Sequence, residues 1–296
     1  MLQIFALPLL ILFTNAPGAA EVSAPEFAPS CNAGAVQQGG LLLCRGEPGT
    51  YVRMNGRAVA VFDADGRASV GLQQHADTSV SLQFSYYGQT LTENLTLATR
   101  SDDYRELTGL DCDKVDARTP EQIDHAGRSW VKKQEAFAEM NDGAGFFEGV
   151  VRPTDMPTSS PFGPTRKYTG VSLTSGESCE SVSVHRGYDM ATPVGTPVLA
   201  PAGGTVILAD PDLYYEGGTV FLDHGQGLVS VMMHLSEVNV SAGDVVEAGD
   251  LLAHTGNTGR TTGPHLHWAV KWRNTASTDR GGDFYIDPAL LLELND

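Results

Sequence analysis

Between residues 39 and 98, apolar and polar residues alternate in short runs that are separated by turn residues. Runs such as SVSLQFSYYG and QTLTENLTLATR have the two-residue period of strands that bury one face. The segments NG, ADG and YG between the runs are typical of tight turns joining antiparallel strands. The pattern therefore predicts a small antiparallel β-sandwich or barrel within residues 21–100.

A helical period follows this β pattern. Thr119 is the predicted N-cap, Pro120 the first helical residue and Gln122 the partner that completes a capping box. Apolar residues then recur at helical spacing, and they are Ile123, Ala126, Trp130 and Phe137. We expect this apolar stripe to pack against a domain and the helix to end at the turn residues 141–143.

From about Val150 onward, β-type runs and glycines become dense, as in TPVLAPAGGTVILAD, GGTVFLDHG and GLVSVMMHL. This pattern predicts a second all-β domain. We therefore expect a mainly β chain with three parts after its leader. These are a small β-sandwich-like domain in residues 21–100, a helical linker in residues 101–149 and a β-sheet domain in residues 150–296.

Composition agrees with this fold class and excludes several classes of protein. Gly contributes 33 of 296 residues and charged residues only 19%, which is unlike a coiled coil or a disordered acidic chain. The chain has 19 Lys and Arg residues against 36 Asp and Glu residues, a net charge of −17. Nucleic acid and anionic membrane surfaces repel such a chain, so neither is an expected partner.

The N-terminus has the pattern of a secretory signal peptide. A largely apolar run, Leu2 to Phe13, precedes the small residues Gly18-Ala19-Ala20. The run is shorter than the roughly 20 residues that a membrane span needs. We expect residues 1–20 to be removed on export, leaving a protein with no stable membrane span.

Four cysteines follow the predicted signal peptide: Cys31, Cys44, Cys112 and Cys179. An even number in an exported protein favours disulfides, and four cysteines allow three connectivities. We favour the local pair Cys31–Cys44, which leaves Cys112–Cys179 to tie the middle segment to the C-terminal domain.

Six of the eight histidines lie between His185 and His267. In HRGYD, His185 and Asp189 are four residues apart, but Gly187 and Pro193 argue against a helix, so we expect a strand end and its loop. Imidazole and carboxylate groups are both zinc ligands. On its own, however, this spacing favours a simple His–Asp hydrogen bond.

A more specific signal is GPHLHW, which places His265 and His267 two residues apart. In a strand both side chains then lie on the same face. Two adjacent buried imidazoles each need a hydrogen-bond partner, and a metal ion or a role in proton transfer meets that need. His234, at the end of the strand-like run GLVSVMMHL, suggests a structural residue by itself and gains meaning only from the other histidines.

Three segments together resemble the M23 family of zinc metallopeptidases, the LytM- or lysostaphin-type endopeptidases that cut peptide cross-bridges in bacterial cell walls. They are HRGYDMATPVGTPVLAPAGGTV, DHGQGLVSVMMHL and VNVSAGDVVEAGDLLAHTGNTGRTTGPHLHW. The similarity runs from about Phe162 to Val270 and contains H-x-x-x-D and H-x-H in the family's order. It implies a compact LytM-type antiparallel β-sheet peptidase domain with its metal in an open groove.

The resemblance also implies a role for each site residue. His185, Asp189 and His267 would hold one Zn²⁺ per chain, which leaves the fourth position of the metal for water, as in catalytic zinc sites. His265 and His234 match the family's two catalytic histidines. We favour His265 as the base and His234 as the stabiliser of the oxyanion, although the sequence does not separate these roles.

Neighbouring residues are expected to have lesser roles. His224 and His254 fall on positions that are not ligands in the family. Phe162-Gly-Pro-Thr-Arg166 is one residue longer than the family's usual F-G-x-R segment, which leaves the alignment of Arg166 open.

Two functions remain open at this stage. The first is an exported zinc endopeptidase that hydrolyses peptide cross-links of peptidoglycan, with D,D specificity favoured. The second is an inactive or autoinhibited relative that binds and activates another cell-wall hydrolase. The presence of every ligand and catalytic residue favours the first.

The negative charge favours a Gram-negative periplasm over a wall rich in anionic teichoic acid. The N-terminal domain could target the wall, bind a regulatory protein or cover the groove.

Overall fold

Seven short strands form the N-terminal β domain of the computed structural model, which describes residues 27–32, 36–279 and 282–295. These strands are β1 (Ser30–Cys31), β2 (Leu41–Arg45), β3 (Tyr51–Met54), β4 (Arg57–Val61), β5 (Arg67–Gly71), β6 (Ser79–Tyr86) and β7 (Gln89–Thr96). They form two antiparallel sheets in the orders β1-β2-β5 and β4-β3-β6-β7. Strand β6 buries Val80, Leu82 and Phe84 on alternate positions. The predicted small antiparallel β domain is therefore confirmed.

The middle segment contains a strand as well as helices. Its elements are β8 (Tyr104–Asp111), α1 (Cys112–Val115) and α2 (Pro120–Ala138). Helix α2 begins with the predicted capping box, in which Thr119 accepts from the Gln122 backbone and Gln122 reaches back to the Thr119 backbone. It ends at Ala138, three residues before the predicted turn. Strand β8 was not predicted, because it pairs in parallel with a strand some 60 residues later in the chain.

The predicted packing of helix α2 is wrong for two of the four residues of its apolar stripe. Ile123 is 56% exposed and Trp130 is 59% exposed. The buried residues of the helix are Ser129, Ala136 and Phe137. The helix contacts the C-terminal domain along a different face, on which Lys132 forms an ion pair with Asp210. Ion pairs therefore help to hold helix α2 against the C-terminal domain, a role expected of the apolar stripe alone.

The C-terminal domain is built around a ten-stranded sheet. The strands and helix after α2 are β9 (Thr158–Ser160), β10 (Thr165–Val171), β11 (Ser178–Val184), β12 (Tyr188–Ala191), β13 (Pro197–Leu199), β14 (Gly204–Leu213), β15 (Gly217–Asp223), β16 (Leu228–Val238), β17 (Val245–Val246), β18 (Leu251–Thr255), β19 (His265–Trp272), β20 (Phe284–Ile286) and α3 (Pro288–Leu291). The main path is β17-β14-β15-β16-β19-β12-β9; in addition, β18 pairs with β16 and β13, and β20 pairs with β19. A separate sheet has the order β11-β10-β8.

The N-terminal β domain packs directly on this sheet. A Cβ atom at Gly71 would lie only 2.7 Å from the ring of Trp272, so the close contact requires glycine there. The indole Nε1 of Trp272 donates to Ser69 Oγ over 3.1 Å. Arg100 bridges the same boundary, since it pairs with Asp287 at 3.1 Å and donates to the Phe162 carbonyl at 2.9 Å. These contacts fix the start of the segment that leads into the C-terminal site.

Three expectations concerned export. The predicted signal peptide, residues 1–20, lies outside the described residues. In the part of the chain that the structure describes, no helix is both long and apolar enough to cross a bilayer. Both favoured disulfides are formed: Cys31–Cys44 joins β1 to β2, and Cys112–Cys179 joins α1 to β11. The favoured connectivity is confirmed.

Candidate metal centre

Two neighbouring strands bring the predicted ligands together. Strands β12 and β19 run antiparallel, and their register places Asp189 directly opposite His267. Along β19, Leu266 is fully buried in the core, whereas His265 and His267 are partly exposed on the other face. His185 lies in the loop that joins β11 to β12. The expectations that His265 and His267 share a strand face, and that His185 lies outside a helix, are confirmed.

Three ligand atoms converge on one point. His185 Nε2 lies 3.0 Å from Asp189 Oδ1 and 3.2 Å from His267 Nδ1, and His267 Nδ1 lies 2.8 Å from Asp189 Oδ1. Two imidazole nitrogens and one carboxylate oxygen are a donor set that suits Zn²⁺. The remaining side of the cluster faces an open groove. The geometry therefore fits a single metal ion with a position left for water.

Hydrogen bonds behind the cluster orient two of these ligands. His185 Nδ1 donates to the Pro161 carbonyl over 2.6 Å, which fixes the tautomer and leaves Nε2 with its lone pair toward the cluster. Asp189 Oδ2 accepts from Arg166 over 2.9 Å, and the same guanidinium nitrogen contacts Ser160 Oγ at 2.8 Å. Arg166 is thus a supporting residue, although its segment is longer than the family pattern.

Electrostatics keep Asp189 and His267 in their ligand forms. Burial by itself would raise the pKa of Asp189, but the interactions with His185 and His267 outweigh burial and hold that pKa well below its usual range. Burial lowers the pKa of His267. The carboxylate is therefore ionised and this imidazole neutral near pH 7, which are the forms that bind a metal.

His234 stands beside the cluster in an unusual backbone conformation. Its φ is +66°, in the left-handed region, and its backbone N–H donates to the Glu216 carbonyl over 2.8 Å. Strand β16 continues beyond it to Val238, so the expectation that His234 ends a strand is wrong. The local break turns its ring toward the groove, 4.7 Å from the His265 ring between centroids.

His234 and His265 are held in the same way. His234 Nδ1 donates to the Thr258 carbonyl at 2.9 Å, and His265 Nδ1 donates to the Gly263 carbonyl at 2.8 Å. Each ring consequently keeps Nε2 as a lone-pair atom. Burial lowers the pKa of His234 to about 3, so it is neutral near pH 7. Two proton acceptors therefore lie beside the metal cluster.

Gly187 makes room for the His267 ring. A Cβ atom at Gly187 would lie 2.3 Å from His267 Nε2 and 2.4 Å from its Cε1. In the sequence, this glycine indicated only the absence of a helix. The pattern of one small residue midway between two ligands is the signal that could have identified it.

The other histidines of the C-terminal domain lie outside the cluster, as expected. His224 is buried and bonded through both nitrogens, to the Gly203 carbonyl at 2.8 Å and to Ser230 Oγ at 2.7 Å. His254 lies on β18 and faces Glu237 at 3.6 Å.

The cluster opens into a groove of about 890 Å³. One wall comes from the sheet β11-β10-β8, including Arg105 of β8, and another from the loop before His265. The segment expected to be only a linker therefore forms part of the site. No described residue of the N-terminal β domain lines the groove.

The mainly β C-terminal domain holds a His-Asp-His cluster and two further histidines in an open groove. This is the arrangement of a zinc metallopeptidase. Residues 183–279, which include all five of these residues, match Peptidase family M23 and form a domain of that family.

Relatives agree with this assignment over about a third of the chain. An uncharacterized metalloprotease of Haemophilus influenzae is 43% identical over 37% of this chain and 22% of its own length. The peptidoglycan DD-endopeptidase ShyA of Vibrio cholerae is 40% identical over 30% of this chain and 20% of its own. The match thus spans only about a fifth of these relatives.

One solved structure is similar over a much larger region. A crystal structure assigned to peptidase M23 of Pseudomonas aeruginosa covers 87% of this chain and 95% of its own, with a TM-score of 0.59 and 27% identity. The similarity therefore extends beyond the metal centre to the preceding domains.

Proposed function

We propose that this protein is an exported zinc endopeptidase that hydrolyses peptide cross-links of bacterial peptidoglycan. The observation that supports this best is the convergence of three ligand atoms within 3.2 Å of one another at the floor of an open groove. The cluster lies in a groove of about 890 Å³, and family M23 includes such enzymes.

His185, Asp189 and His267 are the proposed zinc ligands. When bound, the metal would supply an activated water and polarise the scissile carbonyl. The protein's contribution is to fix the donor set: Arg166 keeps the carboxylate oriented, and the Pro161 carbonyl keeps His185 in the correct tautomer.

The two catalytic histidines then divide the proton transfers. We assign His265 as the base, because its Nε2 lies 3.7 Å from Asp189 Oδ1, directly beside the ligand cluster. His234 is the proposed stabiliser of the oxyanion. Its Nδ1 proton is engaged by the Thr258 carbonyl and the ring is neutral near pH 7, so its Nε2 can donate only when the reaction itself delivers a proton to it.

D,D specificity is the proposed bond type. The supporting fact is the 40% identity to a protein named peptidoglycan DD-endopeptidase. A periplasmic location is consistent with the two disulfides, which form in oxidising compartments. The net charge of −17 also suits this compartment better than a wall containing anionic polymers.

The test is digestion of purified sacculi by the zinc-loaded protein, followed by chromatography and mass spectrometry of the products. We expect D,D cross-linked dimers to become monomers, and EDTA, His185→Ala or His267→Ala to abolish this. His254→Ala is the matched control, since His254 lies outside the cluster, and it should remain active.

The same digestion tests the alternative, an inactive or autoinhibited regulator. If the zinc-loaded wild-type protein leaves both sacculi and soluble cross-linked muropeptides intact, the proposed function is wrong. Activation of another cell-wall hydrolase by the intact protein would then support the regulator, with the N-terminal domain as the expected partner surface.

A further inference from the structure

The groove is richer in arginine than the rest of this acidic protein. Its charged lining residues are Arg105, Arg166, Arg186, Arg260, Asp111, Asp189 and Glu216. Four positive and three negative groups give the lining a charge of +1, with histidines neutral, in a chain whose net charge is −17. A local reversal of this kind favours an anionic group on the substrate.

Three of the four arginines are already held by the protein. Arg166 pairs with the Asp189 ligand at 2.9 Å. Arg105 donates to Ser160 Oγ over 3.2 Å. Arg260 donates to the Val115 carbonyl over 3.1 Å and lies over the ring of Tyr215. Their positions are explained by these internal contacts.

Arg186 differs from these three. It is exposed, it lines the groove next to the ligand His185, and its guanidinium has no hydrogen bond or ion pair to any residue that the structure describes. Its charge acts on the half-buried Tyr285, which also lines the groove. A guanidinium presents two parallel N–H donors that match a carboxylate.

The nearby acid does not neutralise Arg186. Glu216 also acts on Tyr285, but its side chain is 10% exposed and forms an ion pair with Lys133 of helix α2. The positive charge of Arg186 is therefore left for a group that enters the groove.

We propose that Arg186 binds a free carboxylate on the leaving-group residue of the substrate, next to the scissile bond. This rests on the proposed function. The residue on the acyl side uses its α-carboxyl group to form the scissile bond, so it has no free α-carboxylate there. A free carboxylate next to the bond must therefore belong to the residue that supplies the amine. In a D-alanyl cross-link to diaminopimelate, the carbon that bears this amine also bears a carboxylate. In a glycine bridge it does not. Arg186 is thus a specificity-determining residue for the D,D cross-link.

The test uses two soluble peptides with the same D-alanyl–diaminopimelate bond. In one the carboxylate beside the scissile nitrogen is free, and in the other it is amidated. Hydrogen bonds to charged groups contribute about 1.5–3 kcal/mol, so we expect the zinc-loaded wild-type protein to prefer the free acid by roughly 10- to 150-fold in kcat/KM. In Arg186→Gln this ratio should fall to about one, and Arg186→Lys should retain an intermediate preference.

Two controls separate recognition from folding and chemistry. Arg57→Gln removes an exposed arginine from β4 of the N-terminal β domain and should keep the wild-type ratio. Binding of both peptides to the zinc-loaded His265→Ala variant, measured by calorimetry, should show the same preference without turnover, and adding Arg186→Gln should remove it.

Each outcome decides one of the two proposals. If the wild-type protein cleaves both peptides equally well, or if Arg186→Gln keeps the preference for the free acid, the role of Arg186 is overturned while the endopeptidase stands. If the wild-type protein cleaves neither peptide nor sacculi, the proposed function itself fails, and the role of Arg186 fails with it.

Discussion

Strand β19 connects two clusters of polar side chains that differ in how their donors and acceptors are paired. At its start, His267 faces His185 and Asp189, and three electron-pair donors point at one another. Just beyond its end, Arg273 pairs with Asp223 at 2.9 Å, and both side chains are fully buried. The first cluster opens into a groove, whereas the second is enclosed.

The two clusters differ in how completely their polar groups are matched. Asp223 also accepts from the Asn141 backbone at 2.9 Å and from Gly225 at 3.1 Å, and Arg273 donates to the Phe137 carbonyl at 3.2 Å near the end of helix α2. Donors thus face acceptors here, and Arg273 Nη2 is held by its ion pair with Asp223 without hydrogen-bond geometry. In the metal centre donors do not face acceptors, because three acceptor atoms share one space. A matched cluster stabilises a fold, whereas an unmatched one with an opening indicates a ligand.

The largest expected effect lies in the unmatched cluster. His267→Ala should reduce hydrolysis at least about a thousandfold, because the lost metal supplies several kcal/mol of transition-state stabilisation. The free energy of unfolding of the metal-free protein should change by no more than about 1 kcal/mol, because the His267 ring forms no donor–acceptor pair on which the fold depends. Hydrolysis assays and urea denaturation in EDTA measure the two quantities. A loss of several kcal/mol in the metal-free variant would contradict the contrast between the clusters.

The matched cluster should respond in the opposite way. Arg273→Met leaves the buried carboxylate of Asp223 without its cation, which should lower the free energy of unfolding by about 3–5 kcal/mol. Zinc affinity of the folded variant should stay near the wild-type value. The control is the double variant Arg273→Met with Asp223→Leu, which removes both charges and should recover part of the loss. Equal stability of the single variant and the wild type would show that the pair is not structural.

Local patterns predicted the parts of the metal centre that depend on local geometry. Alternation along β19 places His265 and His267 on one face, and the capping box at Thr119 starts helix α2. Both follow from backbone periods that a few neighbouring residues determine.

The remaining features depend on contacts between distant segments. The pairing of β8 with β10 requires residues some 60 positions apart. Trp130 lies at an apolar helical position and is still exposed, because the helix is oriented partly by ion pairs such as Lys132–Asp210. Arg273 gives no sequence signal at all, since its partners come from two distant parts of the chain, the end of helix α2 and the turn between β15 and β16.

A smaller effect should come from a second matched site, the buried His224. Burial lowers its pKa to about 4, whereas an unfolded His titrates near 6.5. Above pH 6.5 both states are neutral. As pH falls from 6.5 to 4, His224 binds a proton in the unfolded state but not in the folded state. The free energy of unfolding therefore falls by at most about 3 kcal/mol. Urea denaturation of the metal-free protein across this range, against His224→Gln, isolates the contribution. The same pH slope in both proteins would show that His224 is not its source.

The smallest expected effect tests whether packing behind the unmatched cluster adjusts the metal site. Gly187→Ala suits the backbone, but its Cβ would lie 2.3 Å from His267 Nε2, so the ring must shift away from His185 and Asp189. Displacing a ligand in this way typically costs about 10- to 100-fold in metal affinity, which competition with a chelator measures directly.

Gly127→Ala is the matched control: a Cβ there meets no atom within 4 Å on the exposed side of helix α2. It should leave zinc affinity unchanged and raise stability by up to about 1 kcal/mol. If Gly187→Ala binds zinc as tightly as the control, the His267 ring has room to move without leaving the metal, and the donor geometry is less rigid than the three short distances suggest.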